Sequence, residues 1–349
     1  MRALTVQPGV PGSAQLGDIS PPPESDGLVV VEVQAIGVCG TDQDIVAGEY
    51  GEAPEGASRL IIGHESLGRI RHAPAGSGLT EGDLVVGIVR RPDPVPCPSC
   101  AVGEWDMCRN GRYTECGIKG LHGFARDEYR IEQEFAVPLD ASLDGVGVLL
   151  EPASVLAKAW DHIEKIGNRA AWGPQTVLVT GAGPVGLMAA LMSAQRGLET
   201  YVLDRVTDGP KPRLVRGLGG HYHSGPLEEL KFRPDIVIEC TGVPSLVMEV
   251  MRLTGHDGIV CLTGISPPGH RISVDAGQLN RDIVLENDVV FGSVNANRRH
   301  YELAAQALMR ADRGWLEQMI TRRVPLERYN EALERRSDDV KVVIDFTAG

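Results

Sequence analysis

Residues 176–204 read TVLVTGAGPVGLMAALMSAQRGLETYVLD. Thr176–Thr180 is a short, β-branched apolar run of the kind that forms a buried strand. Gly181, Gly183 and Gly186 follow in the spacing G-x-G-x-x-G, and an apolar helical stretch then runs to Gly197. TYVL at 200–203 is a second buried strand, ending at Asp204. Strand, helix and strand within about 30 residues make a βαβ unit. In the turn, Gly181 permits the tight reversal, Gly183 lets backbone approach a pyrophosphate, and Gly186 lets the helix pack closely on the strand. The helix N-terminus presents free N–H groups and the positive end of its dipole to phosphate oxygens. Asp204 stands 23 positions after Gly181, where a carboxylate accepts from the ribose hydroxyls of NAD. Arg205 beside it adds a second possibility. A carboxylate repels the 2′-phosphate of NADP, whereas a guanidinium pairs with it. The pair reads as NAD with some tolerance of NADP.

Outward from this unit, short strands are expected at 235–239, 258–263 and 289–294. With helices between them they imply a doubly wound parallel sheet covered on both faces. Glu151–Ile166 has apolar residues at 155, 156, 159, 160 and 163, a helical stripe with Pro152 in its first turn. Before residue 150 the texture changes. Runs at 28–33, 68–71 and 84–89 are separated by Gly, Pro and Asp, which predicts a β-rich domain. The tail predicts helices over 300–311 and 328–337, then a final strand over 340–346 that is free to return to the first domain.

A length of 349 residues suggests about two domains. With 42% hydrophobic and 23% charged residues, the chain is globular rather than disordered. The net charge of −13 argues against sequence-independent nucleic-acid binding, which needs a basic footprint. No apolar run approaches the roughly 18 residues of a membrane span. The start, MRALTVQPGV, has no apolar core of a secretory leader, so a cytoplasmic location is expected.

Two groups of metal-ligating residue types stand out. The first is Gly37-Val-Cys39-Gly-Thr41-Asp42, with Gly63-His64-Glu65 downstream and Glu151-Pro152 much later. A thiolate, an imidazole and a carboxylate from separate segments suit a three-ligand zinc site with an open fourth position. Cys39, His64 and Glu151 are the expected ligands, with Glu65 either a direct ligand or a partner of one. The second group is Cys97-Pro-Ser-Cys100 followed by Cys108, in a turn-rich stretch without periodicity. Three thiols fit a structural zinc loop whose fourth ligand would be Cys116 or Asp93. A metal-free loop is the alternative.

Together these residues resemble the zinc-dependent medium-chain dehydrogenase/reductase family, over nearly the whole chain. The match includes GVCGTD at 37–42, GHE at 63–65, the cysteine loop, EP at 151–152, GAGPVG at 181–186 and ECTG at 239–242. Within the family the chain is similar to the glucose 1-dehydrogenase group, through CGTDQDIV at 39–46, YTECGIKGLHGF at 113–124 and GSVNAN at 292–297. Asp44 stands where general alcohol dehydrogenases usually carry histidine. The resemblance implies a GroES-like catalytic domain over 1–157, completed by 294–349, and a Rossmann NAD(P)-binding domain over 158–293. It assigns Cys39, His64 and Glu151 to a catalytic zinc, with Glu65 close by, and puts Thr41 on the proton path. It places Gly181, Gly183, Pro184, Val185, Gly186, Asp204, Arg205, Thr241 and Asn295 against the coenzyme. Glu115 and Asn295 become candidate sugar contacts, and His270 is a third polar side chain that such a pocket could recruit. The implied reaction is oxidation of an aldose, glucose or galactose, at C1 to the lactone, by a homodimer or homotetramer. Another polyol or secondary-alcohol dehydrogenase of the same family is the alternative, and a catalytically silent nucleotide-binding protein is a third. Two departures are visible. Pro94 stands where the family's lobe has its first cysteine, and Asp204-Arg-Val206 replaces the paired arginines of NADP-preferring members.

Overall fold

The computed structural model describes residues 1–348. The chain divides into two compact units: Met1–Ser154 with Asn295–Arg310 and Ile320–Gly349, and Val155–Val294 with Ala311–Met319.

The first unit is the GroES-like part. Its main sheet orders the strands Ala136–Leu139, Leu84–Gly87, Glu65–His72, Val29–Val38, Lys341–Asp345 and Ile320–Pro325, with Glu128–Ile131 also pairing Val29–Val38. Val29–Val38 is longer than the expected 28–33 because its apolar alternation continues, buried, through Ala35 and Ile36. The final strand does return to this unit. It lies antiparallel to Val29–Val38 with Val342 opposite Val38, while Glu65 stands opposite Gly37 on the other side. One register therefore brings residues 39, 65 and 341 to the same end of the sheet. A small sheet of Arg90–Arg91, Thr114–Cys116 and Gly120–Leu121 carries Glu115.

The second unit is the Rossmann part. Its six strands run His221–His223, Glu199–Leu203, Thr176–Thr180, Ile236–Glu239, Ile259–Leu262 and Val289–Gly292 across the sheet, all parallel. Leu178, Val237, Val250 and Val260 form a buried cluster at its centre. The helix Pro184–Ala194 starts at the proline, whose missing N–H suits the first helical position, and buries Gly186 through Ser193.

The tail differs from expectation in two places. Ala311–Met319 groups with the second unit, because Trp315 donates through its indole N–H to Leu214 O (2.8 Å). The last helix is only Tyr329–Leu333. The Arg322 guanidinium takes the carbonyls of Glu331 (2.7 Å) and Glu334 (2.9 Å), and Glu334 is already extended. Among the described residues no helix is long and apolar enough to cross a membrane.

Candidate active site

Cys39 is the residue between the strand Val29–Val38 and the helix Gly40–Val46. Its N–H donates to Asp42 Oδ2 (2.9 Å), which closes the turn. On that same strand, a Cβ at Gly37 would lie 2.1 Å from Oε2 of Glu65 on the neighbouring strand, so only glycine leaves that carboxylate room. These features bring Cys39 Sγ, a His64 ring nitrogen and a Glu65 oxygen within 4.8 Å of one another. His64 and Glu65 are buried.

The groups around this cluster set its charge. His64 Nδ1 is 3.4 Å from Asp42 Oδ1 but makes no aligned hydrogen bond. Burial opposes a charged imidazole, yet Asp42 and Cys39 outweigh it and hold the His64 pKa well above its ordinary value. Burial would likewise raise Asp42, but His64 and the Cys39 N–H draw it below the usual carboxylate range. Lys341 Nζ donates to both Glu65 oxygens (2.7 and 2.6 Å) and to Val38 O (3.2 Å), with lysine and glutamate side chains each 1% exposed. Glu151 lies outside the 4.8 Å group, at the start of the helix Leu150–Gly167. Burial lifts its carboxyl to about 7, with His64 opposing and Glu65 adding to the rise. Thr41 Oγ1 is 3.8 Å from Cys39 Sγ. One sulfur, one imidazole and a carboxylate crowded in a buried place fit Zn2+. Asp42 on the far ring nitrogen is the orienting partner that such a histidine needs.

Glu115 stands opposite Arg90 in the small sheet. Arg90 Nε (3.1 Å) and Nη2 (2.9 Å) and Asn295 Nδ2 (2.9 Å) all donate to Glu115 Oε1, and none of the three reaches Oε2. The Arg90 guanidinium also lies over the Tyr113 ring, 3.7 Å from its centre. Asn295 adopts a left-handed backbone conformation (φ +61°), and its own Oδ1 accepts from Ala296 N–H. The structure thus joins two of the expected sugar contacts. His270 lies on an exposed loop of the second unit.

In the second unit Gly181 has φ +89°. A Cβ at Gly186 would fall 1.7 Å from Gly181 O, so the helix sits where only glycine allows it. A Cβ at Gly183 would meet nothing within 4 Å, which leaves the backbone open to a phosphate. Glu239, fully buried, accepts from Thr180 Oγ1 (3.2 Å) and from Thr241 N–H (2.7 Å) and hydroxyl. That fixes Thr241 beside Gly181. Asp204 accepts from Ala182 N–H through Oδ2 (2.7 Å) and from Val206 N–H through Oδ1 (3.0 Å). These residues fit a dinucleotide.

The three loop thiols, Cys97, Cys100 and Cys108, also converge within 4.8 Å. Backbone N–H groups of Arg109 (3.3 Å) and Cys100 (3.5 Å) point at Cys97 Sγ and hold its thiol down at about 6, whereas burial pushes Cys100 up to about 11. Neither expected fourth ligand joins them. The Asp93 carboxylate is taken by Val95 N–H, Asn110 and Arg112. Cys116 is buried in the strand Thr114–Cys116.

Sequence reading gave no role to Asp42, Lys341, Arg90 or Glu239. The available signals were a lysine inside the apolar run VKVVIDF and a glutamate ending the apolar run DIVIE. Each is a charge in a stretch that otherwise demands burial, and such charges are paired.

Residues 25–141 match the model of the alcohol dehydrogenase GroES-like domain, and residues 144–346 match that of the glucose dehydrogenase C-terminus. The chain is 40% identical to glucose 1-dehydrogenase of Methanocella arvoryzae over the full length of both. It is 42% identical to glucose 1-dehydrogenase of Thermoproteus tenax, covering 99% of each. A solved structure of Haloferax mediterranei glucose dehydrogenase in complex with NADP, Zn and gluconolactone matches all of both chains with a TM-score of 0.92 at 29% identity.

Proposed function

The chain belongs to the glucose dehydrogenase family, and from that premise we propose that it oxidises glucose at C1 to the lactone, with zinc and NAD(P)+. The observation that carries this reading is the buried convergence of Cys39, His64 and Glu65, on a chain that matches such enzymes from end to end.

Cys39 and His64 would hold the zinc, with Glu151 and Glu65 the carboxylates available to complete the set. Bound zinc supplies a Lewis acid that lowers the pKa of a sugar hydroxyl. Bound NAD(P)+ would supply the hydride acceptor for C1. The remaining work belongs to side chains. Asp42 keeps the His64 ring turned to present its other nitrogen. Lys341 neutralises Glu65, so that the site does not gather excess negative charge. Thr41 would relay the proton of the reacting hydroxyl toward solvent, giving up its own hydroxyl proton as it accepts the new one. Glu115, with Oε1 already engaged, offers Oε2 to a sugar hydroxyl, and Asn295 stands next to it. Gly181 to Gly186 seat the pyrophosphate. Galactose is a second substrate within this reading.

The protein is proposed to work as a homodimer or homotetramer in the cytoplasm. The edge strand Val289–Gly292 has a neighbour on one side only. The helix Ala276–Glu286 buries none of its residues and leaves Val284 and Leu285 about 60% exposed, which suits self-association. Seven cysteines without a disulfide suit a reducing compartment.

The test is turnover of glucose, galactose, sorbitol, threonine and simple alcohols with NAD+ and NADP+, with zinc counted per chain. Aldose turnover that disappears on chelation and returns with zinc is expected. Turnover confined to polyols or simple alcohols would move the protein to another branch, and no turnover of any substrate would remove the enzymatic reading.

A further inference from the structure

We infer that Lys211 admits the 2′-phosphate of NADP+, with Asp204 as its counter-ion. This rests on the coenzyme reading above and names the residue that decides between the two coenzymes. In a NAD-selective site of this kind, the acid at the end of the second strand is kept for the ribose hydroxyls and repels a phosphate placed there. Asp204 has that position, but part of its acceptor capacity is already used, most of it on Oδ2. Both its oxygens already accept backbone N–H groups, Oδ2 from Ala182 inside the glycine turn and Oδ1 from Val206. Oδ2 also faces Lys211 Nζ at 3.5 Å, with the two side chains only 12% and 16% exposed. The carboxylate therefore acts as a brace for the turn, and its charge is offset by an ammonium.

Lys211 comes from the first turn of the helix Pro210–Gly217, which follows directly on this loop. An ammonium has three donors, and at 3.5 Å the contact with Asp204 is loose enough to leave the others for a phosphate. Its shielding from solvent strengthens the pairing relative to an exposed lysine. Arg205, next to Asp204 in sequence, is exposed, so its guanidinium is largely solvated and a weaker reader. The expected NAD lean from Asp204 thus gives way to use of both coenzymes, with the NADP+ share set by Lys211.

The experiment measures binding rather than turnover. The full-length protein is titrated calorimetrically with NAD+, NADP+, 5′-AMP and 2′-AMP, for the native chain and for Lys211→Gln, Lys211→Arg, Arg205→Gln and Asp204→Asn. A charged hydrogen bond to phosphate predicts that Lys211→Gln raises the ratio of Kd for NADP+ to Kd for NAD+ by about tenfold or more. Lys211→Arg should keep the ratio within about threefold, since charge and donors survive. Asp204→Asn should move the ratio the other way, toward NADP+, and it tests the same pair if Lys211→Gln does not fold. An unchanged ratio in Lys211→Gln, or a shift produced by Arg205→Gln alone, overturns the assignment. If the native chain binds neither coenzyme, the coenzyme reading itself fails, and the inference falls with it.

Discussion

The first unit contains two clusters in which sulfur atoms lie within 4.8 Å of other ligand-type atoms, and they are built in opposite ways. The Cys39 cluster mixes sulfur, nitrogen and oxygen, and it draws on residues 39, 64 and 65 with Lys341 from the far end of the chain. Strand register assembles it. The Cys97 cluster is all sulfur and comes from one short stretch, residues 97 to 108. Backbone N–H groups and turn geometry assemble it. The first needs the whole domain to exist and has a carboxylate behind its histidine, as a reactive site does. The second needs only its own loop and has no carboxylate among its three members. Ligand-type residues alone therefore do not mark a reactive site. What marks it is the set of buried charges arranged around them.

The largest effect is expected from removing a member of the first cluster. Cys39→Ala should lower kcat/KM for glucose by roughly a thousandfold or more, because a Lewis acid contributes several kcal/mol to the transition state. Zinc counted per chain should fall in parallel. Activity within tenfold of native would mean that the cluster is not the reacting centre.

The next effect is on stability. Lys341 and Glu65 are a fully buried pair. Lys341→Met leaves Glu65 buried without its cation, and breaking such a pair costs about 3–5 kcal/mol. Urea denaturation should show that loss. The double variant Lys341→Met, Glu65→Leu should recover much of it, since a buried ion pair is often replaceable by apolar side chains. Activity need not return with it. A single variant as stable as the native chain would show that water reaches Glu65.

How much of this was legible in the sequence follows from the same contrast. The glycine turn and its strand could be read because each requirement is local: Gly186 has no room for a side chain and Pro184 opens the helix. The sulfur loop was legible for the same reason. Cys39, His64 and Glu65 were visible as residue types and spacing, but their meeting depends on Gly37 pairing with Glu65 and Val342 with Val38. No local pattern encodes that register. Lys341 was therefore invisible as a partner, although a lysine in an apolar strand hinted at one. The clamp of Arg90 and Asn295 on Glu115 was hidden likewise, since those residues are distant in sequence from each other. The short last helix was misjudged because Arg322, on a preceding strand, takes its terminal carbonyls.

A smaller effect is expected from the carboxylate behind His64. Asp42→Asn keeps the shape but removes the charge that faces His64. Loss of an orienting partner of this kind typically costs 10–100-fold in metal affinity or activity. The expected result is about that fall in kcat/KM, with weaker zinc retention under a competing chelator. The same loss in Asp42→Ala but none in Asp42→Asn would show that only the Cys39 N–H contact matters.

The smallest effect belongs to the second cluster. In Cys97→Ser the backbone N–H groups of Arg109 and Cys100 lose a large, polarisable acceptor and meet a shorter hydroxyl instead. Two weakened hydrogen bonds are together worth about 1–2 kcal/mol, so the melting temperature should fall by a few degrees. The loop touches the other cluster through no shared residue, so kcat/KM should drop by no more than about threefold. Zinc per chain separates the two accounts of the loop. A count that falls by one on this substitution means that the three thiols hold a metal with a fourth ligand from outside the group. A constant count means that N–H to sulfur bonding alone keeps the loop in shape. A fall in kcat/KM as large as that of Asp42→Asn would abolish the contrast, because it would make the loop part of the reacting centre.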